Sequence, residues 1–306
     1  AALSADRERL LGYRATEAIT CYALILPTLV LLAIFNFYPF VLAFYNSFFD
    51  YEIGGERTFI GLGNYGEYLQ DPTMLPSFAN MGLLTLFALV IGISVPLVVA
   101  KLIFSLESER WKYLYRLIFL VPIVVPGVAG QLIWQGIYSE NGLLNEALRL
   151  IGLGTLTRGW LTDPQTALYA IMFIGFPWCS GISILIFYAG LAGIPTSVHE
   201  AAELDGARGV YKFLRIDVPM VLSQVKLLVV LTIIGGVQGF ENIFILTKGG
   251  PGFETMVPGL WMYFNAFNFQ RMGLACAIGV VLFLIILALT ALNLRYFKTT
   301  EELTNR

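Results

Sequence analysis

Six long apolar runs, each cut from the next by a polar stretch, set the pattern of this chain. They cover 19–48, 80–104, 115–137, 167–191, 218–240 and 272–297. Each is longer than the ~20 residues a helix needs to cross ~30 Å of hydrocarbon, so the pattern predicts six transmembrane helices. Prolines punctuate several of them: Pro27 and Pro39 in the first, Pro122 and Pro126 in the third, and a Gly175-Phe176-Pro177 break in the fourth. Because Pro177 removes a backbone donor, carbonyls near Phe173 and Ile174 are expected to be free to face a cavity. Ahead of the first run, residues 1–18 carry Arg7, Arg9 and Arg14 and fit a short interfacial helix. The run that follows is too long and aromatic for a cleavable leader.

One polar interruption stands out. Residues 195–219 read PTSVHEAAELDGARGVYKFLRIDVP. Ser197 and Glu200 have capping-box spacing, which predicts a helix from about Ser197 with Glu200 as its cap. Gly206 supplies the left-handed position that ends it. A second short helix is expected over 208–217, with Arg208, Lys212 and Arg215 as a basic stripe and Val210, Phe213 and Leu214 toward another face. Pro219 marks the return to apolar sequence. The residues alone leave two readings, a rigid tab shaped to fit a partner or an ordinary loop with two surface helices. His199 is the only histidine. With no cysteine or carboxylate cluster at ligand spacing, it reads as a surface residue and no metal site is expected.

Composition strengthens the membrane reading. The chain is 57% hydrophobic and 13% charged, against ~45–50% and ~25% in soluble domains. A net charge of −2 says nothing useful about partners, and no nucleic-acid partner is expected. Cys21, Cys179 and Cys276 are scattered through apolar runs and read as small hydrophobes. Fourteen of the 19 Lys and Arg residues fall at the two termini, the loop after the second run and the 195–219 segment with its flank. The positive-inside rule places that side, with both termini, in the cytoplasm. On the other side lie three loops, 49–79, 138–166 and 241–271, where short surface helices are expected over 143–151 and 260–267. These loops suit either a soluble partner or simple interfacial packing.

The 195–219 segment resembles the EAA loop of binding-protein-dependent ABC importer permeases, whose pattern is EAA, three residues, Gly, nine residues, then Ile-x-Leu-Pro. Here Glu200-Ala201-Ala202 is followed by Gly206 and then Ile216, Asp217, Val218 and Pro219, with Val218 in place of Leu. Three further stretches are similar to the carbohydrate branch, including maltose and glycerol-phosphate permeases. They are 59–65 with Asp71-Pro72 and Asn80, the double-proline run 120–126, and the turn 246–252 reading LTKGGPG.

The resemblance implies an all-α, polytopic subunit of a bacterial-type inner membrane. It would comprise a cytoplasmic segment over 1–18, a first transmembrane helix over 19–48, a five-helix core over 80–297 with a coupling loop at 195–219, and a cytoplasmic tail over 298–306. It also implies a second homologous permease, two ATPase subunits holding ATP and Mg, and an extracytoplasmic solute-binding protein. The chain has no GxxxxGK[ST] phosphate loop, so hydrolysis falls to a partner chain and no catalytic residue is expected here. The ATPase-coupling candidates are Glu200, Ala201, Ala202, Glu203, Asp205 and Gly206. The two alanines would let the tab sit deep in a cleft of the ATPase.

Sugar recognition needs hydroxyl-matching polar groups and flat apolar faces. The substrate-path candidates are Gln131, Trp134 and Gln135 in the third run, Gly175, Trp178 and Ser180 in the fourth, and Gln238, Phe240, Glu241 and Asn242 after the fifth. In maltose-type permeases the turns matching 175–178 and 240–242 line the sugar site. Glu241 departs from that pattern, standing where the relative has Asn. The tryptophans also fit interfacial packing and the glutamines interhelical bonding. Three other readings bear on function. Glycerol phosphate or a polyol could replace the sugar as cargo. An ion-coupled carrier would need ionisable residues near mid-membrane, which the runs almost lack. A membrane enzyme would need a nucleophile and base, or a metal cluster.

Overall fold

A computed structural model describes residues 19–52 and 54–296. The expected interfacial segment 1–18 and tail 298–306 lie outside the described residues. Among the described residues, four helical stretches are long and apolar enough to cross a membrane: α1 (Ile19–Asn46), α3 (Met74–Phe104), the stretch Leu222–Leu246 and α14 (Met272–Tyr296). Two further spans are broken, and the helical six-span architecture follows. The long stretch comprises α11 (Leu222–Gln238) and α12 (Glu241–Leu246).

The third span is α4 (Glu109–Leu120) and α5 (Gly127–Ile137), with Val121–Val124 as a 3-10 turn between them. The two meet at 90°, where the apolar pattern predicted one continuous helix over 115–137. Pro122 and Pro126 explain the bend, since neither supplies the amide that would continue the ladder. The fourth span is α7 (Ala167–Phe173) and α8 (Gly181–Ala192), separated by an unwound segment. Beyond α8 the chain bends by 72° into α9 (Thr196–Leu204). Carrying His199, Glu200 and Glu203, α9 is too polar to extend the span, so α7 completes it instead.

The second short helix runs on where the sequence predicted a stop. It begins at Gly209, passes through a π turn over Phe213–Asp217 and continues to Met220. We call this continuous element α10 (209–220). Pro219 lies just after the π turn, one residue before the element ends, and supplies no amide to its ladder.

At the opposite end of the bundle, a two-stranded antiparallel hairpin pairs β1 (Phe49–Tyr51) with β2 (Arg57–Phe59), in the register Phe49 to Phe59. Helix α2 (Gly63–Gln70) follows, and α3 begins at Met74, six residues ahead of the predicted 80. Asn64 ties this cap together by donating to the carbonyls of Ser47 and Phe49, both at 2.9 Å. Of the two surface helices expected, α6 (Leu143–Leu150) forms, whereas α13 (Pro258–Tyr263), extended by a π turn over Phe264–Asn268, is buried through Pro258, Gly259 and Leu260 and belongs to the core.

Packing divides into two cores. One lies toward the hairpin end, where Leu260 and Ile278 are fully buried with Met256 and Val257. The other lies toward α9, where Ala100, Ile184, Phe187, Leu191 and Val221 join α3, α8 and α11. Close backbone approach depends on glycine at some crossings. A Cβ at Gly181 would stand 2.3 Å from the Phe119 carbonyl oxygen, so only glycine lets α8 start against α4. Helix α1 stands to one side, meeting α14 where the Phe40 and Phe283 rings sit 4.9 Å apart.

Candidate functional site

Between the two cores lies a cavity of about 1330 Å³, larger than the ~300–1,000 Å³ typical of small-molecule pockets. Two unwound stretches open onto it. One joins α7 to α8 and contributes Gly175 and Trp178; the other joins α11 to α12 and contributes Phe240, with Gln238 at the end of α11 and Glu241 and Asn242 at the start of α12. Helix α3 forms another wall through Phe87 and Ile91. Glycines keep the space open: a Cβ on Gly92 or Gly235 would meet nothing within 4 Å.

Trp178 is held unusually. Its backbone sits at φ 57, in the left-handed region that a bulky residue rarely adopts. Its indole Nε1–H donates to the Met172 carbonyl at 3.1 Å, and its ring contacts those of Phe87, Phe173 and Phe176. The carbonyl of Phe173, expected to be free, accepts from the Phe176 amide at 3.2 Å. The unwound segment satisfies much of its own backbone, and the cavity is offered side chains more than bare carbonyls.

The remaining candidates separate. Gln131 on α5 is buried and donates through its amide to the Asn242 side-chain oxygen, leaving the Asn242 NH₂ group available to the cavity. Its own carbonyl oxygen is buried without a partner. Trp134 lies apart, stacked on Tyr138 in a smaller aromatic pocket of about 420 Å³. Gln135 is exposed and lines neither space. Ser180 lines the main cavity and caps α8, accepting from the Ser183 amide.

The other candidate surface is α9 with the turn after it. The helix starts at Thr196 with Pro195 as its N-cap, and no side-chain capping bond forms. Ser197 therefore lies inside the first turn, and the expected capping box with Glu200 is not made. Gly206 has φ 78. Its amide bonds the Glu203 carbonyl at 3.1 Å, and the Ala207 amide bonds the Ala202 carbonyl at 2.8 Å, which together make a Schellman closure. Ala202 and Ala207 are both buried at this closure, so Ala202 faces its own chain and not an outside cleft. Glu200, Ala201, Glu203 and Asp205 are exposed, as is Leu204 at 89%. Lys212 donates to Glu203 at 2.9 Å, which fastens α10 to α9 and holds the Glu203 carboxyl below its ordinary range.

Sequence reasoning missed a group behind this surface. Asp217 is wholly buried, with the Lys101 ammonium 2.6 Å from Oδ2 and His199 Nδ1 3.9 Å from Oδ1. The close pair is ionic by distance but lies off the axis of a hydrogen bond. His199, read from sequence as a surface residue, has both ring nitrogens shielded. The available signal was a lysine and an aspartate at the ends of apolar runs. Among the described residues, no group of three or more His, Cys, Asp or Glu side chains could hold a metal ion.

Comparison with known proteins places this arrangement. Residues 68–298 match the family described as binding-protein-dependent transport system inner membrane component. The probable ABC transporter permease protein YurN of Bacillus subtilis is 34% identical over 92% of this chain and 97% of its own length. The trehalose/maltose transport system permease protein MalF of Thermococcus litoralis is 30% identical over 93% of this chain and 95% of its own. Two crystal structures of a bacterial alginate ABC transporter share the fold at 23% identity, with TM-scores of 0.81 and 0.79. They cover 94% of this chain and 99% and 98% of theirs, and one holds an alginate pentasaccharide-bound periplasmic protein. The chain therefore belongs to the inner-membrane permease family of binding-protein-dependent ABC transport systems.

Proposed function

We propose that this chain is one permease of an importer that takes a carbohydrate, an oligosaccharide or sugar derivative, from an extracytoplasmic solute-binding protein. It passes the sugar inward by alternating access. The observation that carries this reading is the convergence on one large cavity of two span breaks, the unwound 175–178 and the break at 239–240 with the helix ends that flank it. Unwound backbone at membrane depth is tolerated where it faces a cavity, and it lets side chains converge that a straight helix would spread along its axis.

In this reading Trp178 and Phe240 offer flat faces to sugar rings, while Gln238, Glu241 and Asn242 meet hydroxyl groups. Gln131 orients Asn242. Trp134 and Gln135, first grouped with the path, stand outside its wall. The cavity lining has a carboxylate and no Lys, Arg or His, which favours an uncharged sugar over glycerol phosphate. The five-helix core 80–297 carries the path, with both termini and α9 on the cytoplasmic side.

There the exposed face formed by Glu200, Ala201, Glu203, Asp205 and Gly206 docks on one of two ATPase subunits holding ATP and Mg. A second, homologous permease closes the path. A photo-crosslinking amino acid at Glu203, introduced into the native complex, tests the assignment. Adducts with an ATP-hydrolysing chain are expected. Adducts formed only with extracytoplasmic protein would place α9 on the wrong side and end the reading.

A further inference from the structure

Two ion pairs run in series from the docking face into the bundle. Glu203 to Lys212 joins α9 to α10, and Asp217 to Lys101 joins α10 to α3. The second pair sits where the elbow rejoins the spans, beside the fully buried Ala100 and Val221. Phe104, one turn beyond Lys101, brings its ring 5.6 Å from the Lys101 ammonium and 6.3 Å from the His199 ring. A buried ion pair gives little or no net stability over apolar side chains of similar volume. With Asp217 wholly buried and the Lys101 side chain only 23% exposed, fold stability alone does not account for this charge pair at the edge of the apolar core. Its position does more. Lys101 is in the last turn of α3, an unbroken 31-residue helix that also supplies Phe87 and Ile91 to the cavity wall. At ~1.5 Å per residue, about 15 to 21 Å of continuous helix, with Pro96 inside it, lies between the pair and those two residues.

We propose that Asp217 and Lys101 are positioning residues that pin the α9–α10 elbow to α3, so that displacing the elbow moves the cavity wall at Phe87 and Ile91. His199 packs the third side of the pin from α9. This rests on the reading of α9 as the ATPase-docking surface. The pin makes α3 a lever, and the elbow and α3 travel as one body through the nucleotide cycle.

Pulsed electron-paramagnetic-resonance distances test it on the complete complex in nanodiscs, with and without ATP. One spin-label pair spans the pin, at Ser105 and Ser197. A reference pair, Ser197 and Leu294, reports the elbow against α14. In the otherwise native protein, ATP is expected to shift the reference distance and leave the 105–197 distance unchanged. In Asp217→Asn, ATP should shift and broaden the 105–197 distance by several ångströms while ATP hydrolysis persists. Because that variant leaves a partly buried lysine uncompensated, the double variant Lys101→Met/Asp217→Leu is measured beside it. It should reach wild-type amounts in the membrane and show the same ATP-dependent broadening. A double variant with the native 105–197 distance in both states overturns the pin, as does failure of the double variant to fold. A native 105–197 distance that shifts with ATP also overturns it. A reference distance that ignores ATP would instead remove the docking reading beneath it.

Discussion

The indole of Trp178 donates to the carbonyl of Met172 across 3.1 Å, folding the unwound part of the fourth span back on α7. This bond and three ring contacts hold a bulky residue in the left-handed backbone region. Replacing Trp178 by Phe keeps a ring and deletes the donor, leaving a buried-side carbonyl unpaired at a cost of ~1–3 kcal/mol. The expected outcome is a lower thermal unfolding midpoint in detergent and a raised half-saturation concentration for uptake. Unchanged values for both would remove Trp178 from the site.

Gly235 lies on α11 with open space where its side chain would be. Gly235→Trp should fill the cavity while improving helix propensity by a few tenths of a kcal/mol. Stability is expected to hold or rise slightly, and uptake to fall by roughly tenfold or more, the effect of losing ~1.4 kcal/mol of binding. Normal uptake through the filled cavity would show that the path runs elsewhere.

Gly206→Val acts at the other working end. A Cβ in the left-handed region costs ~1–2 kcal/mol, more for a β-branched residue, and opens the Schellman closure. Insertion in the membrane should be normal, with ATP hydrolysis by the complex continuing as uptake collapses. Parallel measurement of hydrolysis and uptake distinguishes this from simple misassembly, in which both fall together.

Asn242 is oriented by Gln131 through an amide-to-amide bond. Gln131→Met matches the volume and removes the bond, so the fold is expected to survive. The half-saturation concentration should rise several-fold with little change in maximal rate, because a ground-state contact has been loosened. A fall in maximal rate alone would contradict this role.

At the hairpin end, Arg271 grips Glu67 with two bonds of 2.5 Å. The guanidinium holds the Glu67 carboxyl below its ordinary range, chiefly through those bonds. A lowered carboxyl pKa stabilises the fold above the ordinary glutamate value, and that contribution is lost as pH falls through the lowered one. Both side chains are over a third exposed, so the effect is at most ~1 kcal/mol and salt-sensitive. Unfolding midpoints of wild type and Glu67→Gln should differ at neutral pH and low salt and converge on acidification.

Much of this organisation was legible in the chain. The apolar runs located the spans because hydrocarbon thickness fixes their length. Gly206 marked the turn of the elbow because few other residues accept its backbone. What the sequence hid depends on partners far along the chain. Asn80 donates to the carbonyls of Glu254 and Met256, at 3.0 Å each, across 174 and 176 residues. Lys101 and Asp217 sit at the ends of separate runs, and only folding makes them neighbours. The capping box misled because Pro195 occupies the N-cap and its carbonyl accepts from the Val198 amide at 3.0 Å, which places Ser197 inside the first turn. The prolines of the third span announced a break, but not a right angle. The short hairpin left no clear alternation, having only three residues per strand.

The polar wall of the cavity is supplied largely by the unwound 175–178 piece and the two helix ends that meet at Gly239 and Phe240. In the reading proposed above, selection can retool what such a protein admits by editing a handful of positions, with little need to refit the bundle. Swapping 175–178 and 238–242 between relatives is, on these grounds, the shortest road to a changed diet.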